Sequence, residues 1–588
     1  MLRQLIAVLV LVASCLALTT NTKYAINGTH TGIKRQFGSP RPMRRNILDL
    51  QQDIPTWSLY IQGLNALQDK PEDFFLSYFQ IAGIHGRPYI PWGDAAQTPG
   101  APKTGYCTHN SVLFLPWHRP YLALYEQLIG ATAQDLVKTY PPAQQATYQI
   151  AANNFRIPYW DWAAIPTMPA VINQQNVTIT TGSGVQSVRN PLYRYNFQKF
   201  PLNPSYFPSD SRVDGDTWLA KYPYTVRGAR DQLNSPSDPI SVDNALLSSQ
   251  LMSGTYYALV KPTSFNEFGT TATPGTSIES VHNQVHGAIG LAGGHMSILS
   301  YSAFDPIFWL HHTNVDRLFA LYQAINPGTY LTPQTEQYGT YTLTPNSLDT
   351  DSTPLQPFAP TGAGPYFTSA SARQTSAFGY TYPEIQDWSQ SPAQLKANVT
   401  AAINKLYNPS GARVRPRSGE MESGTYGPKD QATEWSVGIK VSKFDLDGER
   451  FIIRVFLDTV PEDPKDWMLA PSCIGSFPVF APPHTGGAPY PEVIAYAEFS
   501  LVTGLAQLGR DPTDVRGVRN FLRKALQWRV QKFDGTVVPV EKIPSLNIRV
   551  QKELVTLGGD VTKLPSYGEM TLHPDITTGR AGGFSGVD

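Results

Sequence analysis

Cysteine is scarce in this chain, which has three in 588 residues. Cys15 falls in an N-terminal stretch where Arg3 precedes an apolar run from Leu5 to Leu16 and a small-x-small end at Cys15-Leu16-Ala17. That is the pattern of a secretory signal peptide over 1–17. Only Cys107 and Cys473 then remain, far apart in sequence, so a multi-bridge disulfide framework is excluded. Net charge is also lacking: 46 basic and 46 acidic residues cancel, and no global field recommends nucleic acid or an anionic membrane as partner. The first apolar run is too short for a membrane span and no second candidate follows, so a soluble, secreted protein is expected. One further absence concerns chemistry. His282 and His286 have the spacing of H-E-x-x-H, but Asn283 stands where that motif has its Glu, which counts against a metalloprotease.

The rest of the composition is that of a loop-rich globular enzyme, with 50 prolines, 11% aromatic and 41% hydrophobic residues. Its length implies at least two domains. Asn27, Asn176 and Asn398 lie in N-x-[ST] sequons open to glycosylation on a secretory route. Lys34-Arg35 closes a polar stretch as a dibasic processing site would, which makes 18–35 a propeptide candidate.

Histidine is where the sequence becomes informative. The segment TSIESVHNQVHGAIG (276–290) reads as a helix on which His282 and His286, four apart, share a face. AFDPIFWLHHTNVDRLF (303–319) reads as a second helix, with Asp305 as N-cap, Pro306 in the first position and His311-His312 inside. Upstream, Asp53-Ile54-Pro55 opens a helix with Trp57, Ile61, Leu64 and Leu67 at helical spacing. Another from about Glu72, with Phe75, Tyr78, Phe79 and Ala82 on one stripe, ends near Gly83 and delivers His85. YCTHNSVLFLPWHRPYLALYEQL (106–128) begins extended, which places Cys107 beside His109, and turns helical from Pro116, with His118 in the first turn. Two groups of three imidazoles are therefore available. A shell of imidazoles suits copper, zinc or iron, and the spacing alone does not choose among them.

The segments C-T-H-N, F-L-P-W-H-R-P-Y, V-H-N-Q-V-H and F-D-P-I-F-W-L-H-H-T-N-V-D-R resemble the two copper-binding regions of the tyrosinase and polyphenol oxidase family in its fungal form. R-I-P-Y-W-D-W (156–162) is similar to a family segment between them. The resemblance implies that His85, His109 and His118 bind one copper and His282, His286 and His312 the other, with dioxygen as co-substrate and small phenols as substrates. It makes His311 a neighbour rather than a ligand. Cys107 matches the family pattern in which sulfur is joined by a thioether to a ligand ring, here His109; a buried free thiol or a thiolate ligand are the alternatives. Glu279 and Asn283 match the pair proposed in relatives to hold a water that takes the phenol proton, although Thr276-x-x-Glu279 also reads as a capping box. Asp316 or buried carbonyls are expected to orient the imidazoles. His30, His295, His484 and His573 match no family role and read as surface or loop residues.

Tyr380-x-Tyr382 resembles the mark that closes the family's catalytic core, where it meets an N-terminal Arg, here Arg44 or Arg45. The catalytic domain is thus expected over 36–407, mainly α, as a four-helix bundle around the dicopper site. Residues 408–433, rich in Gly, Pro, Ser and charge and carrying Arg413, Arg415 and Arg417, read as an exposed cleavable linker. From Trp435 the period becomes two, and Asp447-Gly448 and Asp534-Gly535 are hairpin signals, so 434–588 reads as an all-β antiparallel sandwich. Fungal relatives carry a similar domain that covers the copper site until a protease removes it. The resemblance therefore implies that the C-terminal domain is an inhibitor in its own chain, with Phe477 or Phe480 as the plug. The rival readings are a catechol or o-aminophenol oxidase with little phenol hydroxylation, an oxygen carrier of the haemocyanin kind, and a zinc hydrolase.

Overall fold

The computed structural model describes residues 22–29, 39–229, 235–409, 431–481 and 490–586. The signal peptide, Lys34-Arg35, His30, His484 and the linker arginines lie outside the described residues.

The first domain is mainly helical. α1 (Ile54–Gln68) starts as its sequence predicts: Asp53 accepts from the Thr56 amide and Pro55 sits in the first turn, while Trp57, Ile61, Leu64 and Leu67 are buried. α2 (Tyr78–His85) starts later than the apolar stripe suggests. Ser77 supplies the cap by accepting from the Gln80 amide, and His85 is the last helical residue rather than the residue beyond the end. α3 (Phe114–Leu136) is buried along most of its length and packs against α1. α4 (Pro239–Ser248) and α5 (Ile278–Gly290) pack together, and α6 (Ile307–Ile325) lies against both α3 and α5. These helices enclose one large apolar core.

The C-terminal domain is two antiparallel sheets over a second core. β1 (Gln431–Ser442), β2 (Phe451–Leu457), β3 (Cys473–Val479), β4 (Ile494–Ser500), β5 (Leu526–Lys532), β6 (Val537–Val538), β7 (Asn547–Thr556), β8 (Ser566–Tyr567) and β9 (Thr571–Leu572) divide between them. One sheet runs β6-β5-β2-β3; the other runs β8-β7-β1-β4, with β9 also on β7. Trp435, Val437, Ile439 and Val441 alternate along β1 and all face the core. Asp534-Gly535 does make the expected hairpin, pairing Gln531 with Val537. Asp447-Gly448 does not. Both residues take positive φ, 54° and 82°, but β1 and β2 belong to different sheets, so this tight turn carries the chain across the sandwich.

The two domains are joined by specific contacts. β3 lies along α5. The Tyr496 amide on β4 donates to the Thr271 carbonyl at 2.8 Å. Arg450 donates through Nη1 to Ser297 and through Nη2 to the Ala292 carbonyl, and Lys261 pairs with Glu498 and Glu553. Residues 22–29, inside the propeptide candidate, lie on the helical domain: Ile26 is fully buried and its amide donates to the Ala359 carbonyl at 2.9 Å. Among the described residues no helix is long and apolar enough to cross a membrane.

Candidate metal centre

Four helices and one loop deliver the imidazoles. His85 comes from the end of α2, His118 from the second turn of α3, His282 and His286 from α5, and His311 and His312 from α6; Cys107 and His109 come from the loop before α3. His85, Cys107, His109 and His118 form one group, and His282, His286, His311 and His312 a second, each with its donor atoms within 4.8 Å of one another. The groups abut: the rings of His118 and His312 stack at 4.4 Å, and those of His109 and His282 are 5.6 Å apart.

The outward nitrogens are held mainly by backbone. His85 Nδ1 faces the Leu299 carbonyl at 3.0 Å, His118 Nδ1 the Phe114 carbonyl at 2.7 Å and His286 Nδ1 the Met296 carbonyl at 2.7 Å. A carbonyl only accepts, so each of these Nδ1 atoms carries the proton and each Nε2 presents a lone pair inward. Inside, His312 Nε2 lies 3.2 Å from His282 Nε2 and 3.3 Å from His286 Nε2, and His85 Nε2 is buried with no partner. Burial, aided in several cases by neighbouring imidazoles, depresses the whole set: His118 to about 3, His286 to about 4, and His85, His109, His282 and His312 well below the usual range. Neutral imidazoles with converging lone pairs repel unless a cation lies between them, so this donor set fits a metal pair.

Asp316 takes no part in orienting the rings. It accepts from Arg119 at 2.7 Å, Arg44 at 3.1 Å, Tyr380 at 2.5 Å and Tyr382 at 2.6 Å. Burial alone would raise its carboxyl, but the two guanidiniums and two phenols hold it below the usual range. Arg44 is the residue that meets the Tyr pair, with its guanidinium 3.6 Å above the Tyr380 ring; Arg45 pairs with Asp53 near the surface. His311 has both ring nitrogens buried without partners and stacks on His282 at 4.9 Å. His295 and His573 are not surface residues. His295 is fully buried and accepts from the Val226 amide at 3.1 Å, and His573 stacks on Trp435 at 4.8 Å.

Glu279 is not in a capping box, because Ser277 caps α5 by accepting from the Ser280 amide. Its carboxylate, fully buried, turns instead toward the loop of His109. Oε1 accepts from the Asn110 amide at 2.6 Å, while Oε2 accepts from the Thr271 amide at 2.7 Å and from the Thr270 and Thr271 hydroxyls at 3.0 Å each. Asn283 Oδ1 faces His282 Nδ1 at 3.0 Å. Cys107 Sγ lies 3.2 Å from His109 Nδ1, 3.9 Å from its Nε2 and 3.4 Å from His118 Nε2. Burial and the Glu279 charge push its thiol well up, against a thiolate.

The β domain lines the cavity beside the histidines. Phe480, Lys443 and Val493 line the same cavity as His85, Cys107 and His109. A side chain at Gly287, next to His286, would meet Pro478 at 3.1 Å and Phe533 at 3.6 Å. Phe477 points elsewhere, into the sandwich core. Lys443 and the loop-tying roles of Asn110 and Thr271 left no signal in the sequence, and neither did the orienting carbonyls, because a backbone group has no residue type to read.

The description "common central domain of tyrosinase" fits residues 76–325, and "tyrosinase C-terminal domain" fits 434–550. A tyrosinase of Neurospora crassa is 30% identical, the match covering 97% of this chain and 100% of that protein. This chain belongs to the tyrosinase family. A tyrosinase of Podospora anserina is 34% identical over 74% of this chain and 85% of its own. A mushroom tyrosinase, solved in coexisting latent and active forms, superposes with a TM-score of 0.79 at 27% identity, over 94% of this chain and 99% of that one. The tyrosinase-family chain is accordingly a copper-dependent oxidoreductase whose cofactor is a copper pair with dioxygen as co-substrate, and the two imidazole groups are its match to that cofactor.

Proposed function

We propose that the protein is a secreted, latent polyphenol oxidase that hydroxylates monophenols and oxidises o-diphenols to o-quinones. The observation that carries this reading is the convergence of inward Nε2 lone pairs from two abutting imidazole groups. His85, His109 and His118 hold one copper and His282, His286 and His312 the other, His312 rather than His311 because its Nε2 meets both α5 imidazoles. Bound copper supplies the binding and reduction of dioxygen that both reactions need.

The remaining steps belong to the chain. Leu299, Phe114 and Met296 fix three rings by accepting their Nδ1 protons. The sulfur of Cys107, packed on the His109 ring, is joined to it by a thioether, which locks that loop. Among the described residues Glu279 Oε1 has one protein donor, the Asn110 amide, which leaves it a lone pair for a water shared with Asn283, and that water takes the phenol proton. Phe480 fills the mouth while Pro478 and Phe533 cover Gly287, so substrate is excluded until a protease opens the 408–433 linker and the β domain leaves. Cleavage at Lys34-Arg35 would not by itself release residues 22–29, which the Ala359 bond and buried Ile26 retain. Asn27, Asn176 and Asn398 are all exposed, as glycan acceptors must be.

A diphenol oxidase is the second reading, favoured by the three donors that already occupy Glu279 Oε2. The deciding experiment is copper content alongside oxygen uptake on a tyrosine-like monophenol and on catechol, before and after nicking the linker. Two coppers and uptake on both, rising on cleavage, is the expected result. Uptake on catechol alone establishes the second reading, and copper without turnover an oxygen carrier.

A further inference from the structure

The fully or nearly buried arginines of the helical domain follow one rule. Arg44, Arg119, Arg227 and Arg317 each have a carboxylate partner. Arg454, on β2 in the C-terminal domain, breaks it. It is 5% exposed. Its Nε donates to Gln531 Oε1 at 3.3 Å and its Nη1 to Ser476 Oγ at 2.9 Å. The Cys473 side chain is its further polar neighbour, and among the described residues no ion pair joins Arg454 to a carboxylate. A buried guanidinium without a carboxylate partner is costly, and its planar fork is shaped for one.

Arg454 opens onto a cavity of about 580 Å³ between the two domains, within the roughly 300–1,000 Å³ of small-molecule sites. α4 and α5 form one side; β2, β3 and the β5 end form the other. Ala288, Leu291, Met468 and Phe533 give it apolar wall, and Lys465 and Lys532 line it together with Arg454. Asp534, the one carboxylate among its lining residues, is engaged with Arg212 at 3.2 Å. The site therefore combines cationic, hydrogen-bond-competent groups with apolar wall.

We propose that this interdomain cavity binds one carboxylate-headed amphiphile of medium chain length, its head on Arg454 and its chain against the apolar wall. Because both domains build the cavity, the ligand binds only the joined form and stabilises it by mass action. The proposal is independent of the copper chemistry.

The test is calorimetric titration of the copper-loaded, uncleaved chain with decanoate below its micelle concentration. One decanoate per chain is expected, with decanol, lacking the charge, and acetate, lacking the chain, each at least about tenfold weaker. Arg454→Gln should weaken decanoate by at least about tenfold. Ser248→Trp, which keeps Arg454 but fills the cavity from α4, should do the same, so the test survives if one variant does not fold. Unchanged affinity in a folded variant, many weak sites in place of one, or no binding by the parent overturns the proposal.

Discussion

In the helical domain the four-residue spacing of His282 and His286 carries chemistry into the middle of the core, whereas in the β domain the two-residue alternation from Trp435 to Val441 carries only apolar groups inward. The difference extends to charge. Around the imidazoles lie Arg44, Arg119, Glu126 and Asp316, all buried and all paired; the core of the sandwich is hydrocarbon apart from ring nitrogens such as that of Trp435, which donates to the Pro512 carbonyl. Buried ions are expensive unless paired, so the helical domain keeps its ion pairs together beside the imidazoles, whereas apolar packing holds the sandwich core.

That contrast can be broken by substitution. The largest effect belongs to His286→Ala, which removes an inward imidazole: copper content should fall below two and oxygen uptake to background, with the β domain still folded by circular dichroism. Full uptake would remove His286 from the centre. Arg44→Met removes one buried charge partner from each of Asp316 and Glu126 and should cost about 3–5 kcal/mol in denaturant unfolding. Ile453→Ala in the sandwich core should cost about 2–5 kcal/mol yet leave two coppers bound; loss of copper there would mean that the domains are not separable in this sense.

Smaller effects sharpen the comparison within the site. Asn283→Ala should lower monophenol turnover by about 10²-fold while catechol oxidation changes by less than about threefold. Equal loss on both substrates would leave Asn283 only the orientation of His282. A further effect concerns pH. Burial holds His295 at about 3 in the fold, against about 6.5 in the unfolded chain. Below 6.5 the unfolded chain takes up a proton that the fold refuses, so stability falls as pH drops from about 6.5 toward 3, by up to about 1.4 kcal/mol per pH unit from this group. His295→Gln, which keeps an acceptor for the Val226 amide, should remove that part of the slope in unfolding curves between pH 4 and 7.

Much of this was legible beforehand, for reasons that differ by element. α5 and α6 carry helical periodicity and His at ligand spacing in single short stretches, so their existence was legible, but their caps differ from the sequence reading: Ser277 rather than Thr276 caps α5, and α6 begins at Ile307 after Pro306 with no side-chain cap, not at Pro306 after an Asp305 cap. The start of α2 departs from the apolar stripe because Phe75 continues that stripe but stacks on Trp92 outside the helix, while the Ser77 cap decides where the helix begins. Asp447-Gly448 was a correct turn with the wrong consequence, since a two-residue signal says that the chain reverses and not which sheet it joins. His295 and His573 matched no motif, and lone histidines read as surface until the rings around them are known.

The order of motifs in the chain was therefore enough to determine the family, the two-domain plan and the histidines that gather into two groups, because covalent spacing on a helix is itself geometry. Only the tertiary structure decided which groups face them. The carbonyls of Leu299, Phe114 and Met296, the choice of Arg44 over Arg45, the turn of Glu279 toward Asn110 and the place of Phe480 in the cavity beside the histidines all join residues distant in sequence or groups without side chains. Such contacts arise from packing, where burial requires each polar group to find a partner, and that requirement is met only in three dimensions.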